Sequence, residues 1–176
     1  MPIRKHKLFN RPKKLYDVAV MKEEQNLIKK YGLKNRREVW RANFAISRIR
    51  DIAKSLITAA EKEQQTFIKA QQKKGFKVET IADVLGLNKE DYLKRRLQSI
   101  VAAKKIAKTP KQARQFITHK NVLINNKAID SPAHLTTIEE EASIECRIAI
   151  PEQKVISDEE KRILKEMQPK EVIENE

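Results

Sequence analysis

The hydrophobic period of this chain switches from helical to alternating near residue 120, and that switch decides its fold class. Before it, Thr109, Pro110 and Gln112 supply an N-cap hydroxyl, a proline preset for the first helical position and a glutamine at the third. A helix therefore starts there and runs to about His119. Ala113, Phe116 and Ile117 cluster on one side of it, while Lys111, Arg114, Gln115 and Thr118 share an arc of about 100° facing away. After the switch, Val122 and Ile124 alternate, Asn125 and Asn126 offer two residues that tolerate positive φ, and Ile129 resumes the pattern. That describes a tight hairpin. Ile144, Cys146, Ile148 and Ile150 alternate with polar or small neighbours as a later half-buried strand, which Pro151 ends. The fold class is α+β.

Upstream, the chain from Val18 onward reads as helix. A run from Val18 to Tyr31 has Gly32 where a C-terminal cap belongs, and a second begins near Asn35. Ile49, Ile52, Ala53, Leu56, Ile57 and Ala60 form one apolar stripe, predicting a long helix that continues towards Lys74. Gly75 breaks it, a short helix from about Val78 to Leu85 ends at Gly86, and Asn88 with Asp91 makes a capping box for the next. Leu93, Leu97, Ile100 and Val101 give that next helix one apolar face, ringed by Lys94, Arg95, Arg96, Lys104, Lys105 and Lys108. The expected organisation is a basic extended arm over 1–17 that orders on its partner, a helical domain over 18–92, a helix-and-sheet module over 93–150, and an acidic tail over 151–176. In that tail Ser157 and Glu160 open a short helix.

Charge narrows the function. The net charge is +14, but residues 1–50 hold 15 basic and 4 acidic side chains, 51–120 hold 16 and 7, and 121–176 hold 7 and 13. A basic body of this kind repels itself unless a polyanion relieves it, and release of condensed counterions drives that association. Nucleic acid is favoured over the alternatives, lysines that merely solvate helix faces or an anionic membrane surface. No helix combines a strongly basic face with a bulky Trp/Phe/Leu face, which argues against the membrane. A single cysteine, Cys146, leaves no disulfide framework, and His6, His119 and His134 are too scattered to complete a zinc site. Gly32, Gly75 and Gly86 lack the spacing of a P-loop, a dinucleotide fingerprint or a nucleophile elbow. No apolar window approaches 18 residues. The expectation is a cytoplasmic, non-enzymatic protein with no cofactor, metal, membrane or small-molecule partner.

The stretch RRLQSIVAAKKIAKTPKQARQFITHKNVLINNKAIDSPAH, from Arg95 to His134, resembles the RNA-binding module of the small-subunit ribosomal protein S-four family. NLIKKYGLKNRREVWR, from Asn26 to Arg41, resembles the linker and helix of that family's archaeal and eukaryotic branch, and the likeness covers about residues 11–150. It implies two helices packed on a small, mainly antiparallel sheet, and a constituent of the small ribosomal subunit. Such a protein binds the 5′ domain of the ribosomal RNA during assembly and lies among neighbouring ribosomal proteins near the mRNA entrance. The alternative is a ribosome-associated RNA-binding module serving RNA modification or regulation. Lys120 and Asn126 stand where the family usually has glycine. Asn126 can adopt the left-handed conformation; Lys120 predicts a strained cap or a different cap geometry.

The expected RNA contacts are the outward arc Lys111, Arg114, Gln115 and Thr118 with Arg95, Arg96, His119 and Lys120, joined by Arg36, Arg37, Arg41, Arg48 and Arg50. Lys13 and Lys14 extend the set along the arm, as do Lys5, Lys7 and Arg11. Arginine suits phosphate because its planar fork donates two parallel hydrogen bonds, and glutamine reaches a 2′-OH or a base edge. His119 either meets phosphate or caps its helix against the hairpin. Arg36 and Arg37 are adjacent, so a helix cannot aim both at one phosphate. Between Arg95 and Ile150 the only aromatic residue is Phe116, on the core face, so recognition should be of shape and backbone rather than of stacked bases. Trp40, Tyr31 and Phe44 could stack on an unpaired base, but aromatic residues at helical spacing are more often core.

Overall fold

The Asp17 carboxylate accepts the Ala19 N–H at 3.1 Å and opens the first helix, α1 (Val18–Tyr31). The computed structural model describes residues 8–14 and 16–147. Lys5 and Lys7 of the arm, the strand positions Ile148 and Ile150, and the helix expected from Ser157 lie outside the described residues. Gly32 ends α1 in the left-handed conformation (φ +60°), with its own N–H and that of Leu33 both donated to the Ile28 carbonyl. The second helix, α2 (Arg36–Leu56), follows at once.

Here the structure departs from the stripe. The long helix expected to reach Lys74 breaks after Leu56, and α3 (Glu61–Lys73) starts afresh. Ile57 and Thr58, two β-branched residues in succession, weaken helix there. The Gln64 amide donates to the carbonyls of Leu56 and Ala59 at 3.0 and 3.1 Å, serving groups that a helix end leaves unpaired. The break lets α3 turn back so that Phe67 and Ile68 pack beside Ile46, Ala53, Phe76, Val78, Val84 and Leu87. Ile52 and Ile57, expected inside, are exposed. Next, α4 (Ile81–Gly86) begins later than its apolar pattern predicts, because Thr80 and Asp83 form a capping box and leave Val78 buried in the preceding turn.

The predicted box of Asn88 and Asp91 opens α5 (Lys89–Lys94). The apolar face running on from Leu93 is split by a second unforeseen break. Arg96 is extended (φ −72°, ψ 143°) and bridges to Leu135, and Leu97 N–H donates to the His134 carbonyl at 2.8 Å. Helix α6 (Leu97–Ala103) resumes beyond it, and α7 (Pro110–Thr118) starts where Thr109 accepts the Gln112 N–H at 3.2 Å. The Gln112 side chain reaches back one residue further than expected, to the Lys108 N–H.

The hairpin joins β1 (Val122–Ile124) to β2 (Lys127–Ala128) with Leu123 opposite Ala128. Asn125 and Asn126 are both left-handed, at φ +49° and +62°, as a two-residue type I′ turn demands. A capping box of Thr137 and Glu140 opens α8 (Ile138–Ala142), and β3 (Ile144–Cys146) pairs antiparallel on the other side of β1. The sheet order is β2-β1-β3. Leu97, Ile100, Val101, Ala113, Ile117, Val122, Ile124 and Ile144 form its shared core with α6 and α7. Full burial of such side chains stabilises by about 1.5–3 kcal/mol each. Packing also crosses residue 92: Leu93 lies with Leu27, Tyr31, Val39 and Ala42, and Leu135 packs against the cluster built on Ile46 and Phe76.

Candidate nucleic-acid interface

Arg37, Arg41 and Arg48 recur at i, i+4 and i+11 on α2, within an arc of about 40° at 100° per residue. All three are exposed and carry no ion pair among the described residues. The stripe lies opposite Val39, Ala42, Ile46 and Ala53, which face the core, and spans about 16 Å of helix at 1.5 Å per residue. Lys111, Gln115, His119 and Lys120 are likewise exposed on α7 and at its end. Thr118 is exposed, but its hydroxyl donates back to the Arg114 or Gln115 carbonyl at 3.0 Å, leaving its lone pairs outward. Lys13 and Lys14 are exposed on the arm.

Among the described residues of the arm, one side chain contacts the helical body. Phe9 stacks on Trp40 with ring centroids 6.2 Å apart. Trp40 is buried, donates from Nε1 to Glu24 at 2.8 Å, and has the Arg36 guanidinium 5.6 Å from its ring centroid.

The remaining expected contacts turn inward. Arg114, placed by helical geometry on the outward arc, leaves only 26% of its side chain exposed; its fork donates to both Glu38 oxygens, at 3.0 and 3.2 Å. Arg96 is buried, its side chain 5% exposed, and donates to the same carboxylate at 2.8 Å. Arg95 donates to the Lys74 carbonyl at 2.9 Å, to Glu141 at 2.9 Å and to the Thr136 carbonyl at 3.2 Å. Its guanidinium lies where a side chain at Gly75 would project, 2.3 Å from an added Cβ at a φ of +79°. Arg36 pairs with the buried Glu24 at 2.5 Å, and Arg50 donates to the Leu87 carbonyl. These arginines join elements to one another.

Sequence reasoning missed Glu38 and Gln98 at the seam between α1–α2 and α6–α7, and read Gly32 there only as a helix cap. Burial alone would raise the Glu38 carboxyl's pKa, but hydrogen bonds from Arg114 and Arg96 outweigh it and hold the group below the ordinary glutamate value. The Gln98 amide, 1% exposed, lies 2.9–3.0 Å from the carbonyls of Tyr31, Gly32 and Pro110. A Cβ at Gly32 would stand 2.9 Å from the Pro110–Lys111 backbone. One signal was legible: a glutamine inside the apolar run from Leu97 to Val101 needs buried partners.

Lys120 resolves as a regular cap in a strained conformation. At φ +60° it donates its N–H to Ile117 O at 2.9 Å, and Asn121 donates to Phe116 O at 3.0 Å, the two bonds of a Schellman motif. Lys105, beyond α6, is also left-handed at φ +59°.

The family model for the S4 domain matches residues 95–141, from Arg95 into α8. Among curated proteins, small ribosomal subunit protein uS4 of Korarchaeum cryptofilum is 43% identical over 150 residues, covering 82% of this chain and 90% of the relative. The uS4 of Methanospirillum hungatei is 34% identical over 175 residues, covering 93% and 97%. That of Nanoarchaeum equitans is 39% identical over 130 residues, covering 69% and 72%. The chain belongs to the uS4 family. These relatives are archaeal constituents of the small ribosomal subunit, not enzymes. Within this uS4-family chain the S4 domain contributes the α7 face, and α2, upstream of the match, contributes the arginine stripe. Among the described residues no helix is long and apolar enough to cross a membrane, and no group of three or more His, Cys, Asp or Glu could hold a metal ion.

Proposed function

We propose that this protein is a structural constituent of the small subunit of the cytoplasmic ribosome that binds the 5′ domain of its ribosomal RNA during assembly. The observation that carries the reading is the pairing of Glu38 on α2 with Arg114 on α7, which joins the helix bearing the exposed Arg37, Arg41 and Arg48 to the helix bearing the exposed Lys111 and Gln115. Arg37, Arg41, Arg48, Lys111, His119 and Lys120 meet phosphates, with Gln115 and Thr118 reaching sugar hydroxyls. Lys13 and Lys14 continue the surface along the arm. Arg36, Arg50, Arg95 and Arg96 shape that surface from within, and Arg114 does so while keeping an edge open to phosphate. Phe116 packs against the core, which supports readout of folded RNA by shape and backbone. The family likeness supports neighbouring ribosomal proteins as further partners and a place near the mRNA entrance.

The test is binding of the purified chain to a 5′-domain transcript and to an unrelated folded RNA of equal length, across about 50–300 mM salt. Preference for the 5′ domain at every salt concentration supports the proposal. Contact with six to ten phosphates lowers affinity by roughly 10³ to 10⁵ between 50 and 200 mM. Equal binding to both RNAs that disappears with salt overturns it.

A further inference from the structure

A carboxylate is unwelcome on a surface that meets phosphate, since like charges repel, yet Glu38 sits between the two cationic sets. Its side chain is 13% exposed, and both oxygens are engaged. Oε2 accepts from Arg96 and from Arg114 Nη1, while Oε1 accepts from Arg114 Nη2 at 3.0 Å and from the Lys34 N–H at 3.3 Å. The groups it joins are themselves fixed. Arg96 is held by the backbone bridge to Leu135, and Arg114 lies within 3.5 Å of the Gln98 side-chain oxygen. Gln98 and Gly32 tie the end of α1 to the start of α7. From α2, Glu38 is the side chain that reaches both Arg96 and Arg114.

We propose that Glu38 is a positioning residue for RNA binding: without touching RNA, it holds the arginine stripe of α2 and the outward face of α7 in one fixed relation, so that both engage a single RNA together. Two cationic surfaces joined rigidly bind as one, because the second meets its phosphates without a fresh loss of freedom; joined loosely, they lose that advantage. The inference rests on the RNA-binding reading given above.

Charge and geometry make opposite predictions for Glu38→Gln, which allows a decisive test. Removing a negative charge beside a polyanion tightens binding if charge alone matters, whereas releasing the clamp weakens it. Binding of the full chain to the 5′-domain transcript is measured across about 50–300 mM salt, at a temperature where circular dichroism shows each variant folded. Glu38→Gln is expected to bind about 10-fold more weakly, with the slope of log K against log salt smaller by about 2–3 as Arg37, Arg41 and Arg48 drop out of register. Glu38→Asp keeps the charge but is one methylene too short to bridge both guanidiniums. It shows the same direction of change, and it carries the test if Glu38→Gln does not fold. Binding that is unchanged or tighter overturns the inference, as does a loss of affinity at constant slope, which marks only a smaller folded fraction. Arg41→Ala separates this inference from the reading beneath it. If the parent shows a steep slope that Arg41→Ala reduces while Glu38→Gln does not, only the positioning role fails. If the parent has no steep slope, the RNA-binding reading fails with it.

Discussion

Arg36 and Arg37 are neighbours in sequence and opposites in use. Arg36 lies against Trp40 and pairs with the buried Glu24, whereas Arg37 faces solvent with Arg41 and Arg48. The same division separates two regions of the molecule. At the seam between α1–α2 and α6–α7, Arg96 and Arg114 converge on one carboxylate; on the outer faces of α2 and α7, Arg37, Arg41, Arg48 and Lys111 carry no ion pair among the described residues. Arginines within reach of a half-buried glutamate hold architecture, and those beyond reach supply positive potential. A charge-rich sequence mixes the two without distinction.

That division can be broken at several points, and the largest effect belongs to the seam. Arg96→Ala strips Glu38 of one guanidinium in a nearly closed site, and denaturant unfolding should show a loss of about 3 kcal/mol. Gly32→Ala strains a left-handed cap and drives a methyl group into the α7 backbone, so the same measurement should give a loss of about 2–3 kcal/mol. Acid should attack the seam as well. Hydrogen bonds from Arg114 and Arg96 hold the Glu38 carboxyl below the ordinary value of 4.5, against the opposing pull of burial. A group whose pKa is lower folded than unfolded contributes stability that is present above the ordinary value and is lost as pH falls through the folded one. Stability should therefore decline below about pH 4.5 and decline less steeply in Glu38→Gln, as thermal melts at stepped pH would show. On the outer face the signs differ. Lys120→Gly relieves the left-handed strain and should raise stability by about 1 kcal/mol in the same melts. Arg37→Ala should leave the unfolding midpoint near the parent's, while lowering the salt slope of RNA binding by about 0.9. A large stability loss in Arg37→Ala would erase the contrast.

What was legible in the sequence follows from which interactions are local. The start of α7, the Asn125–Asn126 hairpin and the core faces of α6 and α7 are specified by residues within one or two turns of each other, and the structure has all three. The Thr137 and Glu140 box of α8 was equally local and was overlooked. The breaks at Leu56 and Arg96 carry no glycine or proline. The first depends on Gln64 folding back over open carbonyls, and the second on a strand-like bridge to Leu135 far along the chain. Arg114 shows the same limit at the candidate site. Helical geometry puts it at the edge of the outward arc, and whether it turns in is settled by Glu38, 76 residues away in sequence. Lys111, Gln115, Thr118, His119 and Lys120 had no such distant partner and lie exposed, as the arc and helix end implied.

Trp40 is the only tryptophan in the chain, and its indole is buried between the Phe9 ring of the arm, the Arg36 guanidinium and the Glu24 carboxylate. The molecule therefore has a single indole fluorophore located where the basic arm meets the helical body. Lifting the arm would open one side of that indole to water and shift its emission to longer wavelength, a band that the three tyrosines, which emit at shorter wavelength, do not move. The position of one emission band thus reports whether the arm is docked, with no label attached.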